Sequence, residues 1–333
     1  MRARYGTLNL CRGHRFSSSV LGQRISPYLQ EKLVLLGSEH VFGDVPDLVH
    51  SLLGVSLSTS SVFRTCQAVS SQIEPLDLQA PSPQLTASLA QPQQPIYGMV
   101  DGSFLLTKQG WQETKVGRVF GAYPYSDVET KALGWTLTDS EYVAHRGHYR
   151  DFTSAFERLL PPESLAQKVM LSDGAAWIAP WIAQTYPDAV HILDLFHVLE
   201  KVALVAQDAL DPQQWFEEQK QSLLASKLAA VLAAIDGVAS RDKVQQAHIQ
   251  SYLRKHSHQM DYAYYRTQGW MVSSGPIESA HRTVLQVRMK RSGQRWSEAG
   301  CDKMVRLRVA YRSGKGNLIT NVFRKRKTAI TQD

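Results

Sequence analysis

Apolar residues in the first part of the chain recur at helical spacing, with breaks that divide them into three sets. The first set lies within residues 29–41 and the second within residues 45–53. Gly54 ends the second set, and Ser58 or Thr59 can cap a third helix beyond it. The pattern therefore predicts three short helices in residues 28–72.

The turn at residues 53–56 leads into a Ser/Thr-rich helix that carries Arg64. This arrangement resembles a helix-turn-helix, whose hydroxyls and arginine suit contacts with phosphates and base edges. A plain three-helix packing unit with polar exposed positions explains the pattern equally well. We expect residues 1–72 to hold a basic arm and a helix-turn-helix-like region, with Arg64 as a DNA-binding candidate.

The helical pattern stops in residues 73–95. Five prolines lie there among Gln, Ser and Ala residues, and the apolar residues show no period. Such a composition is typical of a linker. We therefore predict a domain boundary at this segment.

From residue 96 the chain alternates between short apolar runs typical of strands and longer amphipathic stretches typical of helices. The pattern predicts three strands at residues 96–106, 115–123 and 132–138, then a helix at 148–160 and a fourth strand at 169–172. A helix at 175–186 and a fifth strand at 189–193 follow. This is the order of a ribonuclease-H-like α/β fold, with a mixed sheet covered on both faces. Residues 198–265 then remain helical, so we predict a helical insertion within a catalytic domain of residues 96–312.

The net charge of +7 is unevenly distributed along the 333 residues. Residues 279–333 carry a net charge of +11, and the remaining residues carry −4. A basic C-terminal segment indicates a polyanionic partner, because Lys and Arg side chains bind phosphates and release counterions. Five of its residues are predicted to contact DNA: Arg282, Arg288, Lys290, Arg291 and Arg295. Residues 313–333 are expected to form a basic tail that is disordered at Arg324-Lys325-Arg326-Lys327.

Three carboxylates lie at the predicted ends of strands or at the start of a helix. Asp101 and Asp173 each follow an apolar run and precede a glycine, and Glu278 lies in the first turn of a helix that begins at Gly275 and Pro276. Taken singly, an Asp-Gly turn or a capping box explains each of them. Taken together, they form the set of ligands that two Mg²⁺ or Mn²⁺ ions need for phosphoryl transfer.

A fourth feature follows the fifth predicted strand. Asp194 and His197 are three residues apart at the start of a helix, which places both side chains on one face. They can orient the carboxylate site or touch DNA as accessory residues. A helix N-cap beside a surface histidine is the structural alternative.

Four motifs occur in a fixed order: Asp101-Gly102, Ser172-Asp173-Gly174, Asp194-x-x-His197 and Ser274-Gly275-x-x-Glu278. In this order they resemble the DDE transposases of bacterial insertion sequences, in the mutator-like group with the C/D-x-x-H signature. The resemblance covers about residues 96–311. It implies divalent-metal-dependent strand cleavage at transposon ends and strand transfer into target DNA.

By position, the resemblance implies that Asp101, Asp173 and Glu278 are the catalytic residues and the ligands of two Mg²⁺ or Mn²⁺ ions. The partners that it implies for this protein are the DNA of transposon ends, the target DNA, and further copies of the chain in a homo-oligomer. We expect a bacterial cytoplasmic protein associated with the nucleoid and no membrane partner. The family also places an aromatic side chain near flipped bases, and the sequence leaves that role open among Trp215, Trp270 and Trp296.

Two further functions compete with the transposase. A ribonuclease-H-like nuclease would use the same carboxylates, although it does not need the long helical insertion. A non-catalytic DNA-binding protein derived from a transposase would use only the basic segment and the helix-turn-helix-like region. The presence of all three acids favours catalysis.

Overall fold

The computed structural model describes residues 2–3, 6–7, 25–126 and 133–329, so most of the predicted basic arm lies outside the described residues. Two short strands near the N-terminus, β1 (Arg2–Ala3) and β2 (Gly6–Thr7), form an antiparallel pair. The main sheet has five strands: β3 (Pro95–Thr107), β4 (Gly110–Ser126), β5 (Leu133–Arg146), β6 (Gln167–Ser172) and β7 (Val190–Leu193). Their order is β5-β4-β3-β6-β7.

The main sheet is mixed, as the sequence predicts. β4 is antiparallel to both of its neighbours, β3 and β5, whereas β6 pairs parallel with β3 and β7 pairs parallel with β6. Side chains of β3 alternate between the two faces: Ile96 and Val100 belong to one buried cluster, and Tyr97 and Met99 to the other. Both faces are therefore covered, and the α/β class is confirmed.

Helices α6 (Tyr149–Leu159) and α7 (Ile178–Thr185) supply side chains to the cluster on the Ile96 face. The other face packs against the helical insertion and the C-terminal helices. The predicted insertion is confirmed as helical: α8 (Leu195–Ala206), α9 (Pro212–Leu224), α10 (Leu228–Asp236), α11 (Lys243–Lys255), a 3₁₀ turn (Ser257–Gln259) and α12 (Tyr262–Thr267).

The three predicted N-terminal helices are present as α1 (Pro27–Glu39), α2 (Val45–Leu53) and α3 (Thr59–Ser70). Ser58 caps α3, since its hydroxyl accepts a hydrogen bond from the backbone N–H of Ser61 at 3.3 Å. Their buried side chains belong to the same core as the sheet. These helices are thus packed into the body of the protein.

The segment predicted as a linker instead forms two short helices, α4 (Pro75–Gln79) and α5 (Pro83–Leu89). Each begins with a proline in its first turn, and Leu78, Leu85 and Leu89 are buried. The Lys315 ammonium group donates hydrogen bonds to the carbonyls of Leu78 at 2.8 Å and Ala80 at 2.7 Å. The linker prediction was wrong because helices of five to seven residues are too short to show a period.

The C-terminal part consists of α13 (Gly275–Ala280), a π-helical segment (His281–Gln286), α14 (Val287–Met289), α15 (Glu298–Arg312) and α16 (Gly316–Ala329). The predicted disordered tail is corrected by α16, which is helical and buries Ile319, Val322 and Phe323. Three apolar residues at helical spacing anchor this helix on the core despite its basic end. Within the described part of the chain, no helix is long and apolar enough to cross a membrane.

Arg288 belongs to the core, and its assignment to DNA binding is wrong. Its side chain is 0% exposed, and its Nε donates to the carbonyl of Gly37 at 3.0 Å. The guanidinium lies over the rings of Phe42 and Trp296, at 4.6 and 5.2 Å from their centres. Burial lowers the pKa of Arg288 to about 10. This arginine joins α14 to the N-terminal helices.

We therefore expect Arg288→Gln to destabilise the fold while leaving the electrostatics of DNA binding unchanged. The substitution removes the stacked guanidinium and leaves a buried carbonyl unpaired, at a cost of roughly 1–3 kcal/mol. Urea unfolding followed by circular dichroism measures the effect. Arg291→Gln, which alters an exposed side chain three residues away, is the matched control and should unfold like the wild type. Equal stability of the two variants would contradict the structural role.

Candidate active site

Asp101 and Asp173 lie side by side in the sheet. Val100 of β3 pairs with Ser172 of β6 in parallel register, so the two aspartates follow at neighbouring positions. β3 continues to Thr107, whereas β6 ends at Ser172, and this difference opens the edge of the sheet beside Asp101. Both aspartates line one small pocket, whose other walls include Asp194, His197, Ser274 and Ile277.

Asp101 is held by groups on two sides. Its Oδ1 accepts a hydrogen bond from the backbone N–H of Gly102 at 2.7 Å, and its Oδ2 lies 3.1 Å from Nε2 of His281. Burial raises the pKa of Asp101, but the contact with His281 outweighs it and the pKa lies below its ordinary value. Asp101 is therefore ionised at neutral pH.

The sequence reasoning did not identify His281. It is 4% exposed and follows Glu278 by three residues, a spacing that places the two side chains on neighbouring positions of a helix. His281 also begins the π-helical segment, and single π-helical turns occur often at functional sites. The spacing of three residues between Glu278 and His281 is the sequence feature that could have identified this histidine.

Asp173 is in a less favourable environment for its charge. Its Oδ1 accepts a hydrogen bond from the backbone N–H of Ala175 at 2.9 Å. Burial raises the pKa of Asp173, and the negative charge of Asp101 raises it further against this hydrogen bond. The two neighbouring carboxylates thus have pKa values shifted in opposite directions, lowered at Asp101 and raised at Asp173.

Asp194 caps α8 and also binds His197. Its carboxylate accepts hydrogen bonds from the backbone N–H groups of Phe196 and His197, each at 3.2 Å, and contacts Nδ1 of His197. The hydrogen bond with Asp194 raises the pKa of His197 to about 9, and the charges of Asp101 and Asp173 add to it. The Asp194 carboxylate thus caps α8 and also favours the protonated form of His197.

Glu278 lines a groove next to the pocket that holds Asp101 and Asp173. Its Oε1 accepts a hydrogen bond from the Ser274 hydroxyl at 2.9 Å. The groove has a volume of about 500 Å³ and is lined by Asp101, Glu278, Arg282 and Gln286, among others. Asp101 is thus common to the pocket with Asp173 and to the groove with Glu278.

The start of the Glu278 helix is fixed to the sheet by Arg118. The guanidinium of this β4 residue donates to the carbonyl of Pro276 at 2.8 Å and lies against the rings of Phe120 and Tyr142. Within the described part of the chain, no ion pair joins Arg282 to Glu278. The Glu278 carboxylate is therefore held by the Ser274 hydroxyl, and its helix by the contact of Arg118 with Pro276.

Four of the five C-terminal residues predicted to bind DNA are exposed: Arg282, Lys290, Arg291 and Arg295. Lys290 donates to the Ser103 hydroxyl at 2.6 Å, two residues from Asp101. Arg64 is exposed on α3. Trp270 and Trp296 are each 7% exposed and belong to the core, and Trp215 is partly buried against it.

Metal ligation is not prearranged among these side chains. Across residues 25–126 and 133–329, no group of three or more His, Cys, Asp and Glu side chains is placed to hold a metal ion. The carboxylates contact His281, Ser274 and backbone N–H groups instead. A scan of protein-family models and a search of curated proteins both find no match to this chain.

We expect the His197 imidazole to titrate near pH 9 in NMR spectra, and Asp194→Asn to lower this pKa toward 6.5. Because the pKa of His197 is raised in the folded state, the contact between His197 and Asp194 stabilises the protein fully below about pH 6.5. This stabilisation is lost as the pH rises through about 9. Asp208→Asn is the control, because it removes a carboxylate that contacts Arg241. Titration of His197 near 6.5 in the wild type would contradict the assignment.

Proposed function

We propose that this protein is a DNA transposase that cleaves DNA strands at transposon ends and transfers them into target DNA by in-line phosphoryl transfer. The observation that carries the proposal is the adjacency of Asp101 and Asp173 in parallel register, with Glu278 on a groove that also contains Asp101. Ligands bind open α/β sheets at the carboxyl ends of parallel strands. Asp173 directly follows the carboxyl end of β6, and Asp101 lies beside it within β3, which continues to Thr107.

The strand order supports the ribonuclease-H-like assignment. Three consecutive antiparallel strands form one half of the sheet, and two parallel strands, each preceded by a helix, form the other. This is the topology expected from the order of the predicted elements. The long helical insertion between β7 and the Glu278 helix distinguishes the chain from a minimal nuclease of this fold.

The three carboxylates have the chemistry that Mg²⁺ or Mn²⁺ ions prefer, with Asp101 shared between the Asp173 pocket and the Glu278 groove. Carboxylate oxygens are the preferred ligands of these hard cations. The raised pKa of Asp173 reflects a negative neighbour and a buried site, a combination that a bound cation would relieve. Asp101, Asp173 and Glu278 would hold the ions, which supply activation of the attacking oxygen and stabilisation of the leaving oxygen when bound.

The protein's own side chains would position the DNA strand. His197 keeps a positive charge beside the carboxylates, and because Asp194 occupies Nδ1, Nε2 is the atom that can donate to a bound phosphate. His281 holds Asp101 in place. Arg282 lines the groove, and Lys290 is tied to Ser103 close to it, so both suit contacts with phosphate oxygens.

The N-terminal helices would supply recognition of transposon ends. The exposed part of α3 carries Ser60, Phe63 and Arg64, while Val62 and Cys66 pack into the core. A helix with a buried face and a polar exposed face with an arginine is suited to a DNA groove, so a helix-turn-helix role remains part of the proposal. We further propose that the protein forms a homo-oligomer and is associated with the nucleoid in the bacterial cytoplasm.

A non-catalytic DNA-binding protein is the second candidate. It is favoured by the absence, among the described residues, of a preformed group of three metal ligands. Cleavage assays separate the candidates. Incubation with Mg²⁺ and plasmid DNA that carries the flanks of the gene should give cuts at fixed ends for a transposase, scattered or structure-dependent cuts for a nuclease, and none for a binding protein.

We expect Asp101→Asn, Asp173→Asn and Glu278→Gln each to reduce cleavage by roughly a thousandfold or more, because the metal site contributes several kcal/mol to the transition state. DNA affinity in a gel-shift assay should remain close to that of the wild type, since phosphate contacts come from other residues. Glu218→Gln, on the exposed surface of the insertion, is the control. A folded Glu278→Gln protein that cleaves normally would remove Glu278 from the site.

Replacing Arg282, Lys290, Arg291 and Arg295 together with Gln should flatten the log–log dependence of DNA affinity on salt by roughly 2–4 units, if most of them contact phosphates. Filter binding across a salt series measures the slope. A charge-matched control replaces four exposed basic residues of the insertion: Arg241, Arg254, Lys255 and Arg266. If the variant of Arg282, Lys290, Arg291 and Arg295 keeps the wild-type slope, these four residues do not contact phosphates and are simply exposed to solvent.

A further inference from the structure

The helical insertion contacts the ends of both parallel strands through tyrosine hydroxyls. Tyr252 of α11 donates to the backbone carbonyl of Asp173 at 2.8 Å, at the end of β6. Tyr262 of α12 donates to the carbonyl of Leu193 at 2.9 Å, at the end of β7 and directly before Asp194. The strands that lead to Asp173 and Asp194 are thus each held by a hydrogen bond from the insertion.

A buried chain of hydrogen bonds reaches the residue before Asp173. His256 Nδ1 lies 2.9 Å from Gln259 Oε1, Gln259 Nε2 lies 2.9 Å from His191 Nδ1, and His191 Nε2 lies 2.9 Å from the Ser172 hydroxyl. Burial lowers the pKa of His191 to about 4, so this ring is neutral at pH 7. A neutral imidazole has one acceptor and one donor, so it accepts from the Gln259 amide and donates to Ser172.

The residue after Asp173 is enclosed as well. Gly174 has φ +82°, a conformation that favours glycine, and a Cβ atom there would lie 2.9 Å from Leu193 Cδ1 and 3.0 Å from the Tyr252 hydroxyl. His256 Cε1 would lie 3.3 Å away. The insertion therefore packs closely around three consecutive residues, from Ser172 to Gly174.

We infer that the insertion positions the Asp173 carboxylate through the hydrogen bond of Tyr252 to residue 173 and the chain from Gln259 through His191 to Ser172, and that Tyr252 is the central positioning residue. This inference rests on the proposed function for its consequence in catalysis, although the positioning itself does not. The Tyr252 hydroxyl fixes the peptide that carries Asp173, and the chain through Gln259 fixes the preceding side chain. A carboxylate on a loose strand end would sample positions that do not support the reaction, since small displacements of catalytic groups cost large factors in rate.

The backbone amide of Ala175 reports on this positioning without any reaction. It donates to Oδ1 of Asp173, so its protection from hydrogen exchange requires the carboxylate to be in place. Tyr252→Phe removes only the hydroxyl and keeps the ring. In metal-free protein we expect exchange at Ala175 to be about 10-fold faster or more, while the central amides of β3 and β4 exchange as in the wild type.

Tyr264→Phe is the matched control, because Tyr264 is 49% exposed on α12 and the described residues provide no partner for its hydroxyl. It should exchange and cleave like the wild type. Gln259→Met, which breaks the second contact, should also accelerate exchange at residues 172–175. Wild-type exchange at Ala175 in both Tyr252→Phe and Gln259→Met would overturn the inference, and so would faster exchange spread over the whole sheet, which indicates general destabilisation.

Cleavage separates this inference from the proposed function. If the wild type cleaves DNA, Tyr252→Phe should lower the cleavage rate by roughly 10- to 100-fold with unchanged DNA affinity. If the wild type does not cleave but exchange at Ala175 responds selectively, positioning by the insertion stands and the proposed function fails. Normal cleavage by Tyr252→Phe in an active enzyme would overturn the catalytic consequence of the contact.

Discussion

Two carboxylates of like charge in one partly buried pocket are the constraint on which this site depends. The parallel register of β3 and β6 forces Asp101 and Asp173 together, and repulsion between them has to be offset by their surroundings. His281 and the backbone N–H of Gly102 stabilise the charge of Asp101, whereas Asp173 has one backbone donor and a raised pKa. Opposite pKa shifts of two neighbouring carboxylates, one lowered and one raised, are a pattern that active sites use.

The histidines around this pair come from separate elements. His197 lies in the first turn of α8 and is charged because of Asp194, and His281 begins the π-helical segment after Glu278. Each histidine therefore lies three residues beyond a carboxylate on its own helix. Both insertion and C-terminal helices meet at the edge where β6 ends, so assembly of the site requires the whole domain to be folded.

The sequence predicted the elements better than their packing. Periodicity identified the five main strands and the insertion, because long apolar runs and alternation survive in a single chain. It failed at residues 75–89, where two helices are too short to show a period, and at Arg288, which was predicted to contact DNA and is buried. A buried arginine cannot be told from an exposed one by its neighbours in sequence, since burial depends on residues such as Phe42 and Glu39 that are far away along the chain.

Two buried arginines of the basic C-terminal segment, Arg288 and Arg308, join the C-terminal helices to the N-terminal helix α1. Arg308 donates to the carbonyls of Ser38 at 2.9 Å and Val284 at 3.0 Å, and pairs with Glu39 at 2.7 Å. Burial lowers the pKa of Arg308, and Glu39 counteracts this effect, so the cation persists inside the protein. A helix that reads DNA from the N-terminal region would consequently be fixed relative to the carboxylate pocket. Recognition and cleavage would then be separated by a constant distance, and any flexibility needed to reach a second DNA site would have to come from the DNA or from a second copy of the chain.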